Sequence, residues 1–288
     1  MGTSADYHMT RSFPLYGPLG VFLIVLAELG LVFKIETVEF YFTPIVWTGY
    51  ILFIDALLWS RKKSSRIFSR PKDFLRMMVW SVFCWLIFEG YNIYLQNWKY
   101  VNLPSSILAQ GIGYVWSFAT IFPAVLLTAE ILENNIHRFK FKISFQLSPF
   151  LQFLLITVGG LMLATPLALP QETSSNLFGF VWVGFILLVD PVNYANKRDS
   201  IIGRLSHGDA SKLAALFLSG LCCGLLWEFW NYWATAKWVY TIPALAGVPK
   251  LFEMPLVGYL GFLPFAVECY VMNEFSYVLF PRLQNLDA

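Results

Sequence analysis

The chain has 288 residues, of which 57% are hydrophobic, 18% aromatic and only 13% charged, with a formal net charge of +2. That composition excludes a soluble globular domain and marks a polytopic membrane protein. The near-balanced charge leaves no electrostatic footprint for a nucleic-acid partner.

Runs long enough to cross about 30 Å of hydrocarbon need roughly 20 apolar residues each. Eight lie near residues 15–34, 42–59, 74–96, 106–132, 148–169, 177–194, 212–235 and 251–280. Pro44, Pro123, Pro191 and Pro264 fall in or beside these runs, which membrane helices tolerate when neighbours satisfy the freed carbonyl. The polar first fourteen residues carry no small-residue cleavage site after a short apolar core, so no cleaved signal peptide is expected. The four cysteines sit inside apolar runs with no CxxC pair and read as packing residues.

Lysines and arginines set the orientation. With the N-terminus inside, sixteen of the twenty fall on the cytoplasmic face, from Arg11 through the Arg61–Arg76 cluster to Arg282. Lys34, Lys99, Lys237 and Lys250 lie on the other face. The expectation is an integral protein of the bacterial inner membrane with both termini cytoplasmic.

The chain also repeats itself. Trp47, Gly49 and Asp55 align with Trp182, Gly184 and Asp190 at one constant spacing, and Cys84, Glu89 and Asn92 align with Cys223, Glu228 and Asn231 at another. NWKY at 97–100 then matches KWVY at 237–240, and Pro123 matches Pro264. The predicted fold is therefore all-α, with eight transmembrane helices as two tandem four-helix repeats, residues 1–142 and 143–288. An even number of spans per copy gives both copies the same topology, related by an axis along the membrane normal.

Each copy carries a Glu-x-x-Asn pair, Glu89 with Asn92 and Glu228 with Asn231. The i, i+3 spacing puts both groups on one helix face. Glu228 falls about 24 Å into its span from the basic face, so the pair belongs to the far half of the membrane. Carboxylates inside a span are expensive unless paired, protonated or facing a cavity, which makes them candidates for function. The bland reading is an acid that is protonated or bonded to its asparagine and fixes helix contacts. The second copy adds Glu253 at the outer end of its last span and Glu268 about 22 Å deeper. Their first-copy counterparts are Ile112 and Leu127, so the second copy is the expected seat of chemistry.

Trp98, Tyr100, Trp238 and Tyr240 lie beyond span ends and read as headgroup anchors. Trp227, Trp230 and Trp233 flank Glu228 within the span and, with Tyr259, are candidates for lining a substrate path. Their electron-rich faces would stabilise a carbocation formed by protonating an alkene; helix packing is the competing reading. Asp55 and Asp190 close the second and sixth spans. DPVNYANKRD, residues 190–199, is the nearest approach to a magnesium-diphosphate motif, against which stands a simple capping or charge-pairing role. His8, His137 and His207 all fall in cytoplasmic segments, so no intramembrane histidine set is expected. No Walker A loop, Rossmann glycine pattern or HExxH occurs, and neither cofactor nor metal is expected.

The tandem repeat, the acid in each copy and the wealth of aromatics resemble the integral-membrane lycopene cyclases, which are also built from two duplicated multi-span domains. Those domains usually have three spans and a proline-acid-acid signature, where this chain has four spans and offers WEFWN and FEMP. WEFWNYW, KWVY and LFEMPLVGYLGFLPF also resemble an uncharacterised bacterial membrane-protein family. The first resemblance implies a cofactor-independent, acid-catalysed enzyme acting on an apolar isoprenoid-type lipid, a cyclase or isomerase in the manner of carotenoid biosynthesis. In that reading Glu228 donates the proton, Asn231 positions it, and Glu253 or Glu268 is the partner. A proton-coupled carrier of a lipid or small solute, and a membrane scaffold, are the alternatives.

Overall fold

The computed structural model describes residues 13–136, 139–142 and 145–281. His8, Arg11, His137, Arg138, Arg282 and both termini lie outside the described residues. In chain order the elements are α1 (Tyr16–Val32), α2 (Glu36–Lys62), α3 (Arg66–Ser69), α4 (Pro71–Leu95), β1 (Trp98–Val101) and α5 (Ile107–Asn135). There follow α6 (Pro149–Ala168), α7 (Gln171–Ser174), α8 (Phe178–Ala195), α9 (Ile201–Ser206), α10 (Ser211–Trp233), β2 (Lys237–Tyr240), β3 (Lys250–Leu251), β4 (Met254–Pro255) and α11 (Phe262–Leu279). The architecture is all-α. Among the described residues, seven helical segments are long and apolar enough to cross a bilayer, and Tyr16–Val32 is a shorter apolar helix. The chain is an integral membrane protein.

The local chemistry matches these limits. Pro71 and Pro149 open α4 and α6 at a position where a missing N–H is harmless. The Ser106 and Ser148 hydroxyls cap α5 and α6 by accepting from Ala109 N and Leu151 N. In α2, Glu36 and Glu39 sit in the first turn and Arg61 and Lys62 in the last, each sign facing the favourable end of the helix dipole. The same helix starts before the run predicted from residue 42 and departs from helical geometry at Tyr41. Pro44 is the cause, because its ring and absent N–H disturb the turn before it.

The order of elements repeats. α1 packs on α2 as α6 packs on α8, α2 on α5 as α8 on α11, and α4 on α5 as α10 on α11. Each α1–α2 type pair is a backbone-to-backbone contact. A Cβ on Gly20 would lie 2.4 Å from Gly49 O, and one on Gly159 would lie 2.5 Å from Leu188 N and 2.7 Å from Gly184 O. Close approach at small residues is how helices gain contact where lipid competes for apolar surface. α5 and α11 form the centre, buried continuously from Phe118 to Ala129 and from Phe265 to Asn273. A helix apolar on every side belongs inside such a bundle.

At the basic end, the two aspartates that closed the second and sixth predicted spans do the same work. Asp55 accepts from Arg66 N at 2.8 Å, Tyr16 OH at 3.0 Å and Ser65 Oγ. Asp190 accepts from Ile202 N at 2.7 Å, Ile201 N at 3.0 Å and Ser200 Oγ at 3.1 Å. Both carboxylates hold the start of the short helix that follows, as in the capping reading. Among the described residues no group of three or more His, Cys, Asp or Glu side chains is placed to hold a metal ion.

The last predicted span is present as Leu256–Leu279, and its start needs correction. Residues 251–261 are not α-helix: Leu251 ends β3, Phe252 turns at φ 59°, β4 follows, and Leu256–Gly261 is a 3-10 segment. Pro255 lacks the N–H that an α-helix through this stretch would need. Introducing valine at Gly20 or Gly159 is expected to destabilise the purified protein by about 1–3 kcal/mol through overpacking. Thermal unfolding in detergent checks this, and an unchanged midpoint at both sites would show that the backbone contacts are dispensable.

Candidate functional site

The two Trp-x-Tyr stretches, read from sequence as headgroup anchors, pair with each other as an antiparallel ladder. Trp98 lies opposite Tyr240, Lys99 opposite Val239, and Tyr100 opposite Trp238. Equivalent residues thus exchange places about a point between Lys99 and Val239. Alternate side chains on a strand share a face, so both tryptophans and both tyrosines point the same way and are half-buried, while Lys99 is exposed.

The Glu-x-x-Asn pairs hold this ladder. Asn92 Nδ2 donates to Trp98 O at 2.9 Å, and its Oδ1 accepts from Asn97 N at 2.8 Å and Trp98 N at 3.1 Å. Asn231 repeats the pattern, donating to Trp238 O at 2.9 Å and accepting from Trp238 N at 3.0 Å. One side chain satisfies both backbone groups of the first strand tryptophan, which the ladder itself leaves free. Each glutamate takes the tyrosine of its own copy: Tyr100 OH donates to Glu89 at 2.6 Å and Tyr240 OH to Glu228 at 2.7 Å. Burial first, and then the charge of the bonded glutamate, push both phenols well above the ordinary tyrosine range, so each remains a donor at neutral pH.

The copies then differ. Glu89 Oε1 also accepts from Trp85 Nε1 at 3.0 Å and Trp98 Nε1 at 3.2 Å. At Glu228 the arrangement differs: Trp238 Nε1 donates to Tyr240 OH at 3.0 Å, and the position equivalent to Trp85 is Gly224. A Cβ on Gly224 would meet the Phe262 ring at 2.4 Å, so glycine makes room for that ring and removes the indole. Glu228 is fully buried and its Oε2 has no partner.

Beneath the ladder lies a cavity of about 490 Å³ that draws on both copies. That is within the range of small-molecule pockets, and its wall is predominantly apolar and aromatic, as such pockets are. Trp47, Trp85, Trp98, Trp182, Trp227 and Trp238 line it, with Tyr100, Tyr240, Phe118 and Phe265. Ring centroids lie 5.7 Å apart for Trp47–Trp227, 5.8 Å for Trp85–Trp227 and 5.4 Å for Trp227–Trp238. Positions aligned in the sequence both line the cavity, Pro44 with Gly179 and Trp47 with Trp182.

Of the residues singled out from sequence, Trp227 is in this wall. Glu89, Asn92, Glu228 and Asn231 stand behind it, reaching it through Tyr100, Tyr240 and the strand backbone. Trp230 is buried against Trp47 and donates to Glu28 at 3.1 Å; Trp233 is 58% exposed. Tyr259 is buried, with its hydroxyl on Leu251 O at 3.0 Å. Glu253 sits in the β3–β4 turn and pairs with Lys237 at 2.6 Å. Glu268 is fully buried in α11 and both carboxyl oxygens lack a partner, while its counterpart Leu127 is equally buried. The ladder tyrosines were missed as site residues. The repeated Trp-x-Tyr was the available signal, since its period of two fits a strand with one face toward the bundle.

The fold and site define a polytopic helical membrane protein with an aromatic cavity beneath the ladder that joins the two Trp-x-Tyr stretches. Comparison with protein-family models, curated proteins and solved structures finds no match.

Asn92→Ala and Asn231→Ala each strip hydrogen bonds from a half-buried strand and are expected to cost about 1–3 kcal/mol. Both should also shift tryptophan emission. Thermal unfolding that responds at one site only would break the equivalence of the two clamps.

Proposed function

We propose that this protein takes an apolar isoprenoid-type lipid into the aromatic cavity and transforms it by acid catalysis without a cofactor. The observation that carries this reading is the Tyr240–Glu228 pair at the cavity wall: a phenol facing the apolar space, backed by a buried carboxyl with one oxygen uncommitted. In the proposed step Glu228 is protonated and its hydrogen bond with Tyr240 is turned round, so that Glu228 donates to the phenolic oxygen and passes its proton there as Tyr240 gives its own to a double bond of the lipid. The lipid becomes a carbocation and Glu228 a carboxylate. The faces of Trp47 and Trp227 stabilise the cation. Loss of a proton from a neighbouring carbon, returned through Tyr240 to Glu228, completes an isomerisation or cyclisation with no net change in the enzyme. The first-copy pair, with Glu89 already accepting three hydrogen bonds, is the scaffold half.

A carrier is the second reading, and Glu268 favours it. A wholly buried acid without a partner, set apart from the cavity wall, suits a proton-coupling group. The lysine and arginine asymmetry supports an inner-membrane orientation in which the basic end is cytoplasmic and the ladder faces outward.

Lipid extracts of expressing cells test the enzyme. A product present with the wild type should fall by a factor of about 100 or more in Glu228→Gln and Tyr240→Phe. A lipid profile indifferent to the wild-type protein removes the reading. For orientation, a cysteine at Lys250 should react with a membrane-impermeant maleimide on intact cells whose outer membrane is permeabilised; labelling only after lysis reverses the assignment.

A further inference from the structure

The polar atoms of the cavity wall specify the ligand further. Asn97 lies in that wall and is 1% exposed. Its Nδ2 donates to Ser175 O at 2.5 Å, which fixes how the amide faces, and its Oδ1 has no partner. Thr43 Oγ1, in the wall on α2, is likewise buried without a partner. Buried acceptors are nearly always satisfied, and an unsatisfied one asks what donor belongs there. Charge narrows the answer. Lys237 is the one charged residue of the wall among the described residues, and Glu253 at 2.6 Å and Tyr232 O at 3.2 Å hold its ammonium. No cation in the wall is left to neutralise a phosphate or diphosphate.

We propose that the lipid carries a neutral hydroxyl, which donates to Asn97 Oδ1 while the hydrocarbon lies among the tryptophans. This deepens the function proposed above and rests on the cavity being the lipid site. The ligand class is a prenol-like alcohol, in preference to a hydrocarbon or an anionic prenyl phosphate. Asn97 follows Gln96, the left-handed residue that closes α4, and its backbone N–H is held by Asn92. The clamp that orders the strand therefore also positions the acceptor.

Displacement of tritiated farnesol from the purified protein in detergent tests this, with farnesol, farnesyl methyl ether and farnesyl diphosphate as unlabelled competitors. The alcohol should compete at about tenfold lower concentration than the ether, which keeps the chain and oxygen but has no donor. The diphosphate should do no better than the ether. In Asn97→Ala the advantage of alcohol over ether should vanish while ether binding stays within about twofold. Equal competition by alcohol and ether in the wild type, or tightest binding by the diphosphate, overturns the hydroxyl proposal and leaves the cavity as a lipid site. An alcohol advantage retained in Asn97→Ala overturns the role of Asn97. Absence of saturable binding by any probe overturns the lipid reading itself. The wild-type series decides the matter alone should the variant fail to fold.

Discussion

Pairing between β1 and β2 is the constraint on which the arrangement of the two copies turns. Two copies with the same topology can place equivalent strands side by side about a shared axis only in antiparallel register. The observed exchange of Trp98 with Tyr240 and Tyr100 with Trp238 is that solution. A four-residue ladder is weak on its own, since an isolated pair of strands is marginal at best in water. Asn92 and Asn231 supply what it lacks by binding the free edges of the tryptophan backbone. The tyrosines then turn toward the bundle, where the glutamates meet them. The cavity is the space left beneath, bounded on both sides by the same positions of the repeat.

The copies diverge at two acids. Trp85 in one copy and Gly224 in the other decide whether the adjacent glutamate receives an indole N–H. With the indoles, Glu89 Oε1 accepts three hydrogen bonds, whereas Glu228 Oε1 accepts from Tyr240 and its Oε2 is buried without a partner. Leu127 and Glu268 make a second contrast, an apolar core position replaced by an acid at similar burial. A fully symmetric protein would bind a ligand equally in two orientations related by the axis. These substitutions, with Asn97 at the position equivalent to Lys237, give the cavity a direction.

Much of this was legible in the chain. Runs of about 20 apolar residues located the spans because hydrocarbon thickness leaves helices little choice. The repeated Gly49 and Gly184, Asp55 and Asp190, and the Glu-x-x-Asn pairs recur in the structure in equivalent settings. Other features escaped for physical reasons. The ladder joins strands nearly half a chain apart, and a four-residue Trp-x-Tyr stretch gives no local sign of its partner. It therefore resembled an interfacial anchor, which has the same composition. Periodicity placed Glu228 on the face of Asn231 correctly but did not reveal that a tyrosine stands between the acid and the cavity. At residues 251–261 apolar content suggested a helix, while Pro255 and the left-handed Phe252 made a turn and a 3-10 segment instead.

The sequence separation of the ladder strands also bears on how the protein is made. The contacts of Gly20 with Gly49 need only the first two helices, so they can form early in synthesis. β1 has no partner until β2, which follows α10, has been made and has reached the same side of the membrane. Until then, Trp47 and Trp85 lack Trp227, the ring they pack against in the finished cavity. Closure of the ladder is a late event, and the molecules resident between the copies at that moment are the first that the finished cavity can hold.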